Sequence, residues 1–71
     1  MDEWILVQFP EVRGVLIDDT PCGETNRPIL VQLGTHTISL DGPSDYSPAS
    51  ITKQVINTTK KHPMRFVFTK P

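Results

Sequence analysis

Seventy-one residues, 37% hydrophobic and 21% charged, make one small domain with room for a single modest core and no second lobe. A large enzyme fold, such as a doubly wound sheet or a barrel ringed by helices, does not fit that length. The net charge of −1, from seven Lys plus Arg against eight Asp plus Glu, lacks the basic surplus with which a nucleic-acid binder neutralises phosphates.

Residue shape sets the fold class. Six Val, six Ile and eight Thr stand against one Ala and five Leu. β-branched side chains lose rotamer freedom against a helical turn and pack well on a pleated surface. Seven Pro and four Gly interrupt the chain at short intervals, so long helices are excluded. In chain order, Trp4 to Phe9 is an apolar run of strand length that Pro10 stops. The period of two puts Ile5, Val7 and Phe9 on one face and Trp4 and Leu6 on the other. Gly14 to Asp18 reads as a second strand, followed by turn formers from Asp18 to Gly23. Pro28 to Leu33 is a third strand, with Ile29, Val31 and Leu33 sharing a face. Gly34-Thr35 reads as a turn into the alternating run His36 to Leu40, a hairpin signal. Asp41 to Asp45 is a loop by composition. Residues 47–57 fit either a strand or a short helix opened by Ser47-Pro48, and the β-branched Ile56, Thr58 and Thr59 favour the strand. Met64 to Thr69 closes the chain as a strand with Met64, Phe66 and Phe68 on one face.

Six short, mostly antiparallel strands with turns every few residues predict an all-β small sandwich or half-barrel. The predicted inward set is Ile5, Val7, Phe9, Val15, Ile17, Val31, Leu33, Ile38, Leu40, Val55, Phe66 and Phe68. Cys22 is the single cysteine, so no internal disulfide can staple the fold. The acidic start Met1-Asp2-Glu3 and short apolar run do not read as a signal peptide. No run approaches the ~20 apolar residues of a membrane-spanning helix. A full-length chain of this kind is expected in the cytoplasm, and a piece of a longer parent is expected at the envelope.

The order of signals resembles the PEGA domain, a small β-sandwich module of bacterial proteins. That family reads as Pro-x-Gly-Ala-x-Val-x-Ile-Asp-Gly, then Gly-x-Thr-Pro, Gly-x-His-x-Val and Gly-Tyr. Here the matching stretches are Val15 to Asp19, Gly23-Glu24-Thr25 with Pro28, Gly34-Thr35-His36, and Asp45-Tyr46, while the namesake segment is Pro10-Glu11-Val12-Arg13-Gly14 in place of Pro-Glu-Gly-Ala. Several positions depart from the pattern. Asp19 stands at the turn Gly, Asn26 and Arg27 part Thr25 from Pro28, and Asp45 precedes Tyr46 in place of Gly. The resemblance covers nearly the whole chain. It implies an interaction module with a structural Tyr46 and no catalytic residue.

Few constellations point to chemistry. His36 after Gly34 is a candidate ligand or pH-sensitive contact, but the ordinary expectation is a ring paired with a backbone carbonyl beside a positive-φ glycine. His62 reads as an exposed loop residue. Asp18, Asp19, Cys22 and His36 lack the paired spacing of a zinc site and the oxygen alternation of a calcium loop. Neither metal nor cofactor is therefore expected, and a Cys22–His36 nucleophile has nothing to position it. Trp4 and Tyr46 are the large amphipathic aromatics. Trp4 with Leu6 makes the first strand apolar on both faces, and such a strand is covered on both faces. The chain is too short for a second layer, so another protein or a copy of this chain is the expected cover. The expected role is a non-enzymatic interaction or assembly module that uses an exposed strand edge and the outer sheet face through Trp4, Leu6 and Tyr46. The alternative is a carbohydrate- or cell-surface-binding module using Tyr46 and the Asp41 to Ser47 loop.

Overall fold

A computed structural model describes residues 2–70. Seven strands follow one another without a helix among the described residues: β1 (Asp2–Gln8), β2 (Gly14–Ile17), β3 (Thr20–Glu24), β4 (Pro28–Gln32), β5 (Gly34–Leu40), β6 (Ile51–Val55) and β7 (Met64–Val67). They form two sheets, β4-β1-β7 and β3-β2-β5-β6, packed face to face as a small sandwich. Every strand pair is antiparallel except β1 with β7, which is parallel.

Alternation decides the core. In β1, Glu3, Ile5 and Val7 are buried while Asp2, Trp4, Leu6 and Gln8 point outward. Ile5, Val7, Phe9, Val15, Ile17, Ile29, Val31, Ile38, Leu40, Val55, Phe66 and Phe68 fill the space between the sheets. Eleven of these twelve belong to the predicted inward set; Ile29, which alternation places on one face with Val31, is the addition. The predicted Leu33 is instead 49% exposed. β4 ends at Gln32, and Gly34 at φ 135° carries the chain into the opposite sheet, so the alternation is broken before Leu33 is placed. For the same reason β4 and β5 are not a hairpin: they lie in different sheets. Ile29 takes the inward place and lies against Gly23, where an added Cβ would meet Ile29 Cδ1 at 2.9 Å.

The second correction is β3. Thr20–Glu24, expected to be turn, is a strand paired with β2. Asp18 and Asp19 both hold positive φ, 51° and 66°, which makes them the two-residue turn of a tight hairpin. Asp tolerates this left-handed region better than most residues, so two acids can stand where Gly is usual. In the ambiguous stretch 47–57, residues 51–55 form β6 and no helix forms; Ser47 pairs separately with Thr69.

Candidate interaction surface

The two sheets present unlike outer faces. On the sheet β4-β1-β7, Trp4 lies opposite Leu30, Leu6 lies between Pro28 and Arg65, and Gln8 lies opposite Val67. Leu30 and Val67 are 51% and 52% exposed, and Trp4 and Leu6 are half-buried. On the sheet β3-β2-β5-β6, the outward residues of β5 and β6 are Thr35, Thr37, Ser39, Thr52 and Gln54, with Leu16 of β2 beside Ser39. Thr37 and Thr52 meet across the pair with hydroxyl oxygens 3.0 Å apart. One face is therefore an apolar strip and the other a hydroxyl surface.

The structure brings Trp4 and Leu6 together on one face, as the alternation predicts. It also places β1 in the centre of its sheet, with β4 on one side and β7 on the other. An edge contact is thus unavailable to Trp4 and Leu6, and only the face is offered. Leu30 and Val67 extend the strip, and sequence reasoning did not single them out. Their signal was present: Leu30 alternates with Ile29 and Val31, and Val67 alternates with Phe66 and Phe68.

Part of the cover over Trp4 comes from the chain itself. β7 begins too late to meet the start of β1, so the Trp4 amide donates instead to Thr58 Oγ1 at 2.7 Å. Thr58 in turn donates its N–H and its hydroxyl to Glu3 Oε1, at 2.9 and 3.0 Å. These bonds satisfy a carboxylate that is only 5% exposed. They also hold the segment 58–62 beside the tryptophan, and Lys60 Nζ lies 5.6 Å from the centre of the Trp4 ring. The expectation that nothing in so short a chain could reach Trp4 is corrected to this extent.

Tyr46 lies away from that strip, at the far end of the core. Its ring meets Phe9 and Phe68 edge-on, with centroids 6.3 and 5.6 Å apart. Its hydroxyl donates to the Leu40 carbonyl at 3.0 Å. The loop before it is tied by Arg13, which bonds both Asp45 oxygens and stacks 5.2 Å over the Phe9 ring. The Arg13 hydrogen bonds, ahead of its charge, hold the Asp45 carboxyl below the usual range. Tyr46 thus fastens the loop to the core, and its ring edges and hydroxyl are already engaged.

The Gly-x-Thr stretch has a structural reason as well. Thr25 is fully buried, accepts from the Arg13 amide at 2.9 Å and donates to the Glu11 carbonyl at 2.8 Å. Asn26, at φ 64°, mimics a strand neighbour for Phe9, accepting from its amide and donating to its carbonyl. Together they wire the 9–13 loop to the β3–β4 connection. His36 donates or accepts at both nitrogens, with Nδ1 at 2.9 Å from Asp18 Oδ2 and Nε2 at 2.7 Å from the Gln32 carbonyl. Cys22 is exposed on β3, and no group of three or more metal-ligating side chains gathers among the described residues. No helix among them is long and apolar enough to cross a membrane.

Compared with family models, curated proteins and solved structures, the chain matches none of them.

Proposed function

We propose that this chain is a PEGA-like, non-enzymatic interaction module that docks another protein, or a second copy of itself, on the outer face of the β4-β1-β7 sheet. The observation that carries the reading is the contrast between the two outer faces. A three-stranded sheet that carries Trp4, Leu6, Leu30 and Val67 outward keeps water on an apolar strip that the opposite, Thr-lined sheet does not have. Contiguous exposed apolar surface of this kind marks interaction sites more often than scattered single residues do. Trp4 is the natural anchor, because large aromatics carry much of the binding energy at such patches. Tyr46, away from the strip, holds its own loop on the core and lies outside this surface. A protein partner fits a flat apolar strip better than a sugar does, since a sugar site needs an aromatic platform ringed by polar groups.

Lys60 beside Trp4 supplies the test. Amine-reactive crosslinking in the native cell, read by mass spectrometry, is expected to join Lys60 to one recurrent protein or to a second copy of this chain. Sedimentation over a concentration series reads the second-copy case directly. Trp4→Ala should weaken that association about thirtyfold, the equivalent of ~2 kcal/mol, and Leu6→Ser should weaken it less. Association that survives Trp4→Ala while thermal stability collapses would assign Trp4 to the protein's own core and sink the proposal.

A further inference from the structure

His36 is the third residue of β5, just after the crossover between the sheets, and its side chain is only 16% exposed. Both ring nitrogens face acceptors. Nδ1 is 2.9 Å from a carboxylate oxygen of Asp18, in the β2–β3 turn, and Nε2 is 2.7 Å from the backbone carbonyl of Gln32, at the end of β4. Neither partner can donate. A neutral imidazole carries one N–H and one lone pair, so it can serve only one of the two. Both contacts are hydrogen bonds only when the ring carries two protons.

The other oxygen of Asp18 is fixed by the Thr37 amide at 3.0 Å, and the Asp18 amide donates to the Thr37 carbonyl at 2.8 Å. The carboxylate therefore cannot swing away without breaking the turn's own bonds. Two other charged groups are near. Asp19 is the next residue of the turn, and Lys53 is the cross-strand partner of His36 on β6. Lys53 extends over the Phe66 ring and donates to the Arg65 carbonyl at 3.2 Å, so its ammonium is engaged on β7.

We propose that His36 is a doubly protonated clip joining the end of β4 in one sheet to the β2–β3 turn of the other, and that loss of one proton opens this joint. The clip is independent of the docking reading, although β4 also carries Leu30. Hydrogen bonding from the ring to Asp18, then to the Gln32 carbonyl, raises the His36 pKa above its ordinary 6.5. The Thr37 amide, then His36, lowers that of Asp18 below its ordinary 3.8. A raised folded-state value means that the His36 contribution is complete below about pH 6.5 and is lost as pH rises through the folded-state pKa. The Asp18 contribution has the opposite sign: it is complete above about pH 3.8 and is lost as pH falls through its lowered value. The clip is thus strongest on the mildly acidic side of neutrality.

The test is a nitrogen-detected NMR titration of the ring in a His62→Gln chain, which leaves His36 as the one histidine. Both ring nitrogens are expected to be protonated at pH 6.5, with a midpoint above that value. A midpoint at or below 6.5, or a single neutral tautomer at pH 6.5, overturns the proposal. In parallel, the Tm of the parent minus that of His36→Gln should fall between pH 6 and pH 9 by on the order of 4–8 °C, the scale on which one net hydrogen bond moves a small domain. A difference that is constant across that range also overturns it. Should His36→Gln fail to fold, the titration of the ring decides alone.

Discussion

The two sheets share one core but treat solvent in opposite ways. The outward side of β5 and β6 is Thr, Ser and Gln, and its cross-strand contact is a pair of hydroxyls. The outward side of β4, β1 and β7 carries Trp4 opposite Leu30, with Leu6 next along β1 and Val67 further on, opposite Gln8. Both faces belong to strands rich in β-branched and apolar residues, so strand formation itself does not account for the difference. A sheet with one solvated side needs polar residues there, and the strands β5 and β6 have them where β4, β1 and β7 carry Leu30, Trp4, Leu6 and Val67. The lesson is that the core and the apolar outer strip are separable: the inner residues decide whether the chain folds, and the outer residues of one sheet form the strip proposed above for docking.

The largest expected effect tests the shared core. Phe66 is fully buried between the sheets. Phe66→Ala should cost about 3–5 kcal/mol through lost transfer energy and the cavity it leaves, read as a drop in denaturation midpoint. A variant that melts like the parent would mean that the two sheets do not share this core. Next comes the wiring at the end of the sandwich. Thr25→Val keeps the shape of the side chain but leaves the Arg13 amide and Glu11 carbonyl without their partner. The expected loss is about 1–3 kcal/mol, measured in the same way.

The outer faces should then respond differently to the same kind of change. Leu30→Ser with Val67→Ser removes two half-exposed apolar groups from the strip. Stability should move by less than about 0.5 kcal/mol for each while association weakens, because surface substitutions away from special features are nearly neutral for folding. The matching change on the other sheet, Thr52→Ser, should alter neither. Equal effects on association from both faces would erase the contrast. An effect of the opposite sign is expected at the hairpin turn. Asp19 sits at φ 66° and makes no side-chain hydrogen bond among the described residues, whereas Asp18 holds His36 and Thr37. Asp19→Gly should therefore raise stability by roughly 0.5–1 kcal/mol, by relieving the left-handed backbone cost. Asp18→Gly should lower it.

Strand length and turn spacing pointed to a small sandwich or half-barrel, and period-two alternation, read from Ile5 through Phe68, placed nearly all of its core. Alternation is a local property: each side chain's face follows from its neighbour's, without knowledge of the partner strand. The same rule put Trp4 and Leu6 on one outward face, and the placement of Tyr46 beside Phe9 and Phe68 agrees with a residue that fastens its loop. The features decided by tertiary structure involve partners distant in the chain. Whether Gly34 makes a hairpin or a crossover depends on which sheet accepts β5, and that choice left Leu33 in solvent. β3, the strand beyond the six expected, rests on a turn built from two acids at positive φ, a conformation no propensity assigns to Asp18-Asp19 in preference to Gly. The central position of β1 follows from its parallel pairing with β7, nearly sixty residues later, as does the gap at its start that Thr58 fills. Composition and spacing therefore determine most of what is β and most of what is buried, with β3 and Leu33 as the exceptions. The choice of neighbours, on which the joined strip of Trp4, Leu6, Leu30 and Val67 depends, belongs to long-range pairing, because hydrogen-bonding strands recognise one another only once the core has brought them side by side.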